Sequence, residues 1–203
     1  MGTNKEWEPC RSHTTYAILK SMSNKVVSAD NQQERLEKKI HPWYITGFVE
    51  GEGTFHIALY RDPRMKFGIK IIPEFHVSQS YLRINTLQEI QRYFECGYIK
   101  ENHKNRIKDV TYVYVVRDRN DLQKKIIPFF RHYPLLSDKM KSFELFAKVV
   151  SLMAQTSRLS KGQVQKIIKT AYRMNNNGSY RKIAMDVLLQ ALKSSETICR
   201  NSV

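Results

Sequence analysis

What this chain lacks narrows its class before any motif is read. Its uninterrupted apolar runs all fall short of the ~18 residues needed to span a bilayer, so no membrane partner is expected. No basic-then-apolar leader opens the sequence, and Glu6 stands where a myristoylation start requires Ser or Thr. Neither secretion nor lipid anchoring is therefore expected. The three cysteines, Cys10, Cys96 and Cys199, are odd in number and far apart, which leaves no legible disulfide framework and fits a reducing intracellular compartment. The six histidines form no H-x-x-x-H or Cys/His cluster, which argues against structural zinc. Acid is also scarce. Asp and Glu total 19 against 34 Lys and Arg, a net charge of +15, and a chain this basic calls for a polyanionic partner, of which nucleic acid is the commonest.

The 203 residues suffice for one domain of ordinary size with a terminal appendage. Residues 1–40 are polar, weakly patterned and nearly balanced in charge. They read as an N-terminal appendage, partly disordered or helical, with a solvated helix expected from Ser28 to Lys39. Residues 41–203 read as the folded domain. Pro42 opens a helix, which gives way to two strands of period two on either side of a turn at Asp62-Pro63; Pro73 implies a bulge or edge position in the second. Helical spacing returns over 81–95, and a second hairpin is expected between Gly97 and Arg117. Asn120 is expected to cap a helix ending at Pro128, and further helices are expected over 138–153, 160–174 (with a Ser160/Gln163 capping box) and 180–193. The fold class is α+β with an antiparallel sheet and extra C-terminal helices from about 138.

One stretch organises the chain. From Tyr44 to Phe55, Ile45, Phe48 and Val49 recur at helical spacing, while Gly47 and Gly51 leave one helix face without side chains. Each glycine costs a helix about 1 kcal/mol relative to alanine, so two within one turn point to a second helix packed closely there. Glu52 ends the helix just before Gly53. The run Ile45-Thr46-Gly47-Phe48-Val49-Glu50-Gly51-Glu52-Gly53 resembles the motif of the LAGLIDADG homing endonucleases, with Thr46 in place of the usual alanine and Glu at both acidic positions. The resemblance covers roughly residues 42–153 and implies the order αββαββα.

It also implies a chemistry. Divalent metal held by carboxylates stabilises the charge of phosphodiester hydrolysis and positions the attacking water. The resemblance gives Glu52 and the Gly51 carbonyl to Mg²⁺, with Mn²⁺ substituting. It gives Gln79 and Arg83 to the water network near the cleaved phosphates, and a basic residue to transition-state stabilisation, for which register prefers Lys139 over Lys141. Glu50, two residues from Glu52 along the helix, points elsewhere and is expected to serve packing or hydrogen bonding. One motif per chain implies a homodimer joined through Gly47, Gly51 and Phe48.

Period two delivers alternate strand residues to one face, and a two-stranded ribbon fits the major groove. The expected DNA-binding residues are Thr54, His56, Tyr60, Lys70, Glu74, His76 and Ser78, extended by Lys100, Asn102, Thr111 and Arg117. The function implied is an intron-encoded, site-specific homing endonuclease that makes a Mg-dependent double-strand break in a long pseudo-palindromic DNA target. Its expected place is intracellular and DNA-associated, in a bacterial cytoplasm or an organelle. The alternatives are an intron RNA maturase, with intron RNA as a partner, or a non-catalytic DNA-binding regulator of the same fold.

Overall fold

The computed structural model describes residues 40–102, 110–156, 158–175, 178–179 and 181–200. The expected appendage lies outside the described residues. The first helix, α1 (Pro42–Glu52), starts with proline in its first turn and with the His41 side chain accepting from the Trp43 N–H at 3.3 Å. It passes into β1 (Gly53–Arg61) without an intervening residue. Gly53 makes that possible: a Cβ there would lie 2.4 Å from Val49 Cγ1 and 2.8 Å from the Val49 carbonyl oxygen. The buried Thr46 hydroxyl donates to the Tyr133 carbonyl at 3.1 Å, so the residue that replaces the motif's alanine ties α1 to a segment 87 positions away.

β1 pairs antiparallel with β2 (Ile69–Ser80), and the sheet is completed by β4 (Thr111–Val116) and β3 (Tyr98–Glu101) in the order β1-β2-β4-β3. Pro73 lies opposite Ile57, beyond the point where β4 stops pairing with β2 at Phe75↔Val116, so the proline sits at a local edge of a central strand. Between the hairpins, a 3₁₀ turn over Tyr81–Arg83 leads into α2 (Ile84–Phe94). Gly97, with φ +71°, follows it; a Cβ there would meet the Val115 carbonyl oxygen at 2.6 Å. The observed order is αββαββα with helices appended, as expected.

Two expectations about the next helix are corrected. Its cap is Asp118, which accepts from the Asn120 and Asp121 N–H groups, and not Asn120. Nor does it end at Pro128. Arg119–Asp121, a π-helical turn over Leu122–Ile126 and Ile127–His132 run on as one helix, α3, in which Ile127 bonds back to the Leu122 carbonyl. That five-residue step resets the hydrogen-bond register just before the residue that lacks an N–H. Then come α4 (Lys139–Gln155), α5 (Lys161–Tyr172) with the expected Ser160/Gln163 capping box, and α6 (Met185–Arg200), which begins five residues later than expected.

The core lies between the helices and the inner sheet face. Phe55 is its centre, with ring centroids 5.1–5.5 Å from Phe75, Phe130, Phe143 and Phe146. Those rings come from β1, β2, α3 and α4, so one aromatic cluster fixes the sheet against the helices that carry the site. At the outer edge of β1, Asn175 Nδ2 donates to the Phe55 carbonyl at 2.9 Å and Arg181 Nη1 to the Ile57 carbonyl at 3.0 Å.

Candidate active site and nucleic-acid interface

Glu52 is the last residue of α1 and is exposed, as are Gly47 and Gly51. A Cβ added at either glycine would meet nothing within 4 Å, so the bare helix face has no neighbour among the described residues of its own chain. Trp43, Tyr44 and Leu136 are exposed at 50%, 53% and 91%. Phe48, expected at a dimer interface, is half-buried against its own core and stacks on Tyr44. Among the described residues no three His, Cys, Asp or Glu side chains cluster to hold a metal ion.

Lys139 lies against the end of the same helix. Its Nζ donates to the Val49 and Glu50 carbonyls at 2.7 and 2.8 Å, two of the groups a helix C-terminus leaves unpaired. Burial pushes its pKa down, while the Glu50 and Glu52 carboxylates oppose the shift. Lys141, the other sequence candidate, points to Asp138 at 2.7 Å. Glu50 accepts hydrogen bonds from the Leu136 and Ser137 N–H groups and the Ser137 hydroxyl, and Ser137 Oγ in turn accepts from the Lys139 N–H at 3.1 Å. Burial works against the charge of Glu50, but these hydrogen bonds and the Lys139 cation outweigh it, and its pKa is lowered. The first motif acid thus anchors the loop that delivers the lysine. Gln79 continues β2 two residues past the Gly53↔Val77 pair and faces Tyr112 of β4; its Oε1 accepts from the Ser80 N–H at 2.8 Å. Arg83 is exposed at the 3₁₀ turn that follows.

The strand register puts all eleven expected DNA-binding residues on one face. Thr54↔His76, His56↔Glu74 and Tyr60↔Lys70 are partners across β1 and β2, and Ser78↔Val113 and Lys100↔Val113 carry the same parity across β4 to β3. The Asn102 N–H bonds the Thr111 carbonyl at 2.8 Å, which places that pair on the same face. One of these expectations is corrected. Glu74 is only 3% exposed, with Arg117 Nε 2.5 Å from one carboxylate oxygen and His76 Nε2 2.8 Å from the other, so its carboxylate is spent inside the protein. Burial raises its pKa, but His76 and Arg117 more than compensate and hold it ionised. His56 is pushed down to about 4 by burial, with the Arg181 guanidinium acting in the same sense and the Glu74 carboxylate against it. It faces outward as a neutral ring.

Ala58, Ile72, Val113 and Val115 share the outer face, an apolar middle that the alternation of polar residues did not reveal. Nor did local pattern reveal Asn175 and Arg181, which seal the edge of β1 from more than a hundred residues away.

An exposed motif acid at the end of a helix, a lysine held against that helix and a sheet face with polar residues around an apolar middle are now in view, and the family model of the LAGLIDADG endonucleases matches residues 45–150. This chain belongs to that family. Among its relatives, "Probable intron-encoded endonuclease 2" of Neurospora crassa is 29% identical over 138 residues, covering 67% of this chain and 29% of the relative. "DNA endonuclease I-CeuI" of Chlamydomonas moewusii is 31% identical over 109 residues, 54% of this chain and 47% of the relative. The LAGLIDADG chain thus spans less than half the length of either. Of solved structures, the homing endonuclease I-TnaI aligns with a TM-score of 0.64 at 29% identity, covering 77% of this chain and 99% of that one. The archaeal intron-encoded homing endonuclease I-Vdi141I, complexed with DNA, gives 0.68 at 25% identity, with 77% and 96% covered. The family match stops at residue 150, so α5 and α6 lie outside it. No described helix of this LAGLIDADG chain is long and apolar enough to cross a membrane.

Proposed function

We propose that this chain is a site-specific DNA endonuclease that acts as a homodimer and hydrolyses both strands of a long, partly two-fold target. The observation that carries the reading is the position of Glu52, which ends an open-faced helix where the helix meets the DNA-facing sheet, with Lys139 bound one turn back. A single carboxylate per chain suits Mg²⁺, which is usually held by one or two carboxylates together with substrate phosphates and waters. Glu52 and the Gly51 carbonyl would hold it, with the partner copy supplying the second acid across the axis. When bound, the cation neutralises charge at the scissile phosphate and lowers the pKa of a nearby water.

The chain's own groups do the rest. The sheet face sets the duplex in register, with phosphate contacts positioning and base contacts specifying. Lys139, fastened to α1, holds its cation beside the acid, where it stabilises the negative charge that builds up on the phosphate. Gln79, near the end of β2, and Arg83, in the 3₁₀ turn that follows, would order the water near the cleaved phosphates. A DNA-bearing compartment, organelle or bacterial cytoplasm, follows as the working location.

The test is cleavage of a plasmid carrying the uninterrupted sequence across the host gene's intron junction, with Mg²⁺ and then Mn²⁺. Double-strand cleavage at one site is expected; Glu52→Gln should abolish it while binding in EDTA stays within about threefold of wild type, since one charge is removed at constant shape. Cleavage by pure Glu52→Gln protein near the wild-type rate would remove the assignment.

A further inference from the structure

On the outer face of the sheet the Glu74 carboxylate is buried beside one arginine and two histidines. Glu74 lies in a row across the sheet: His56 is its partner on β1, and Arg117 follows Val116, the β4 partner of Phe75, so that it falls on the other side. His76 is its neighbour of the same parity on β2. The carboxylate is enclosed by these three groups and is 3% exposed. Arg117 Nε stands 2.5 Å from Oε1 and His76 Nε2 stands 2.8 Å from Oε2, yet neither contact is aligned as a hydrogen bond, which leaves Glu74 Oε1 and His76 Nε2 buried without one. Such a group costs free energy unless something gained elsewhere offsets it.

The gain lies in what the arrangement does to Arg117. The nitrogen turned to the carboxylate is Nε. The two terminal nitrogens, the pair that recognises guanine by bonding O6 and N7 together, make no hydrogen bond or ion pair with another described residue, and the side chain is 39% exposed at the outer sheet face. An arginine free to rotate loses conformational entropy when it docks on a base, and a carboxylate that holds the stem in advance removes part of that cost.

We propose that Arg117 reads a guanine in each half of the DNA target and that Glu74, without touching the DNA, is the positioning residue that aims it. This rests on the endonuclease reading above and adds a base and a reader to it. The buried Glu74 carboxylate with Arg117 held beside it is then the form of the site before the base arrives: docking on guanine fixes the guanidinium plane, and Glu74 neutralises the part of its charge that faces inward. His76 flanks the carboxylate from the second side and keeps it from swinging outward.

Selection of wild-type protein, Arg117→Lys and Glu74→Gln against a randomised duplex library in EDTA, followed by binding of single-base variants across a salt series, tests it. Wild type should select one guanine per half-site at which the other bases bind about ten- to a hundredfold more weakly. Arg117→Lys keeps the cation and loses the fork, so that preference should collapse while the salt slope is unchanged. Glu74→Gln should weaken the preference at that same base pair and no other, again at constant salt slope. Melting curves on the same samples separate a misfolded Glu74→Gln from a folded one, and Arg117→Lys alone still decides the guanine. A uniform loss of affinity over all sequences in an Arg117→Ala control, with the salt slope reduced by about one, makes Arg117 a phosphate contact and overturns the proposal. An unaltered profile in folded Glu74→Gln overturns the positioning role. Wild type that selects no sequence at all instead defeats the endonuclease reading, whereas a selected site without an Arg117-dependent guanine defeats this inference only.

Discussion

At His56 the fold decides a charge. Burial lowers its pKa to about 4 from the 6.5 of an exposed imidazole, Arg181 adds to the shift, and Glu74 opposes it. The unfolded chain therefore binds more protons than the folded one between those values, so the contribution of His56 to stability is intact above about pH 6.5 and is lost as pH falls towards 4. Glu74, whose pKa is lowered in the folded state, loses its contribution only below the ordinary carboxylate range. Denaturant midpoints at pH 7, 6 and 5 should thus fall steadily for wild type and much less for His56→Gln. Equal slopes for the two proteins would assign the acid sensitivity to another group. Period two told which face Glu74 occupies and said nothing of its depth. Parity is a property of the strand, whereas burial depends on Arg117 and His76 closing over the carboxylate, and that closure joins different parts of the sheet.

Among the elements, α1 carries most of the design in eleven residues. Its inner face buries Ile45 and Val49, its C-terminal turn receives Lys139, and its glycine face is open. In the free chain, Gly47→Leu meets no atom within 4 Å at its Cβ and should not lower the melting temperature. Across a two-fold axis the same side chain would be forced between two closely packed backbones, so sedimentation should show monomers and cleavage should be lost. Dimers of Gly47→Leu with wild-type affinity would move the interface off this face. The helix was legible because its signals are local: proline at the start, glycines four apart, acid at the end. The Ser160/Gln163 box was legible for the same reason. α3 was not, because Asp118 and Asn120 are both good caps two residues apart and because a proline usually ends a helix unless a π-turn reorders the bonds ahead of it.

For the whole molecule, the contacts that hold the site together span the greatest sequence distances. Glu50 meets Ser137 across 87 residues and Arg181 meets Ile57 across 124, separations at which no periodicity survives to be read. Arg181 bonds the Ile57 and Ala171 carbonyls and lies over the Tyr172 ring at 4.9 Å. Arg181→Ala leaves both carbonyls without that donor, which should lower stability by about 1–3 kcal/mol in denaturant unfolding. An unchanged midpoint would show that the arginine contributes nothing there. The sealed edge also governs how copies meet. A row of free carbonyls along β1 would template strand addition, joining one sheet to the next in an open-ended series with no two-fold closure. With Asn175 and Arg181 occupying those acceptors, sheet-to-sheet growth is blocked at that edge, and Arg181→Ala should scatter light increasingly with concentration where wild type stays clear. If copies pair through the open face of α1 as proposed, self-association would be steered from strands to helices, from an assembly that could lengthen without limit to one that stops at two.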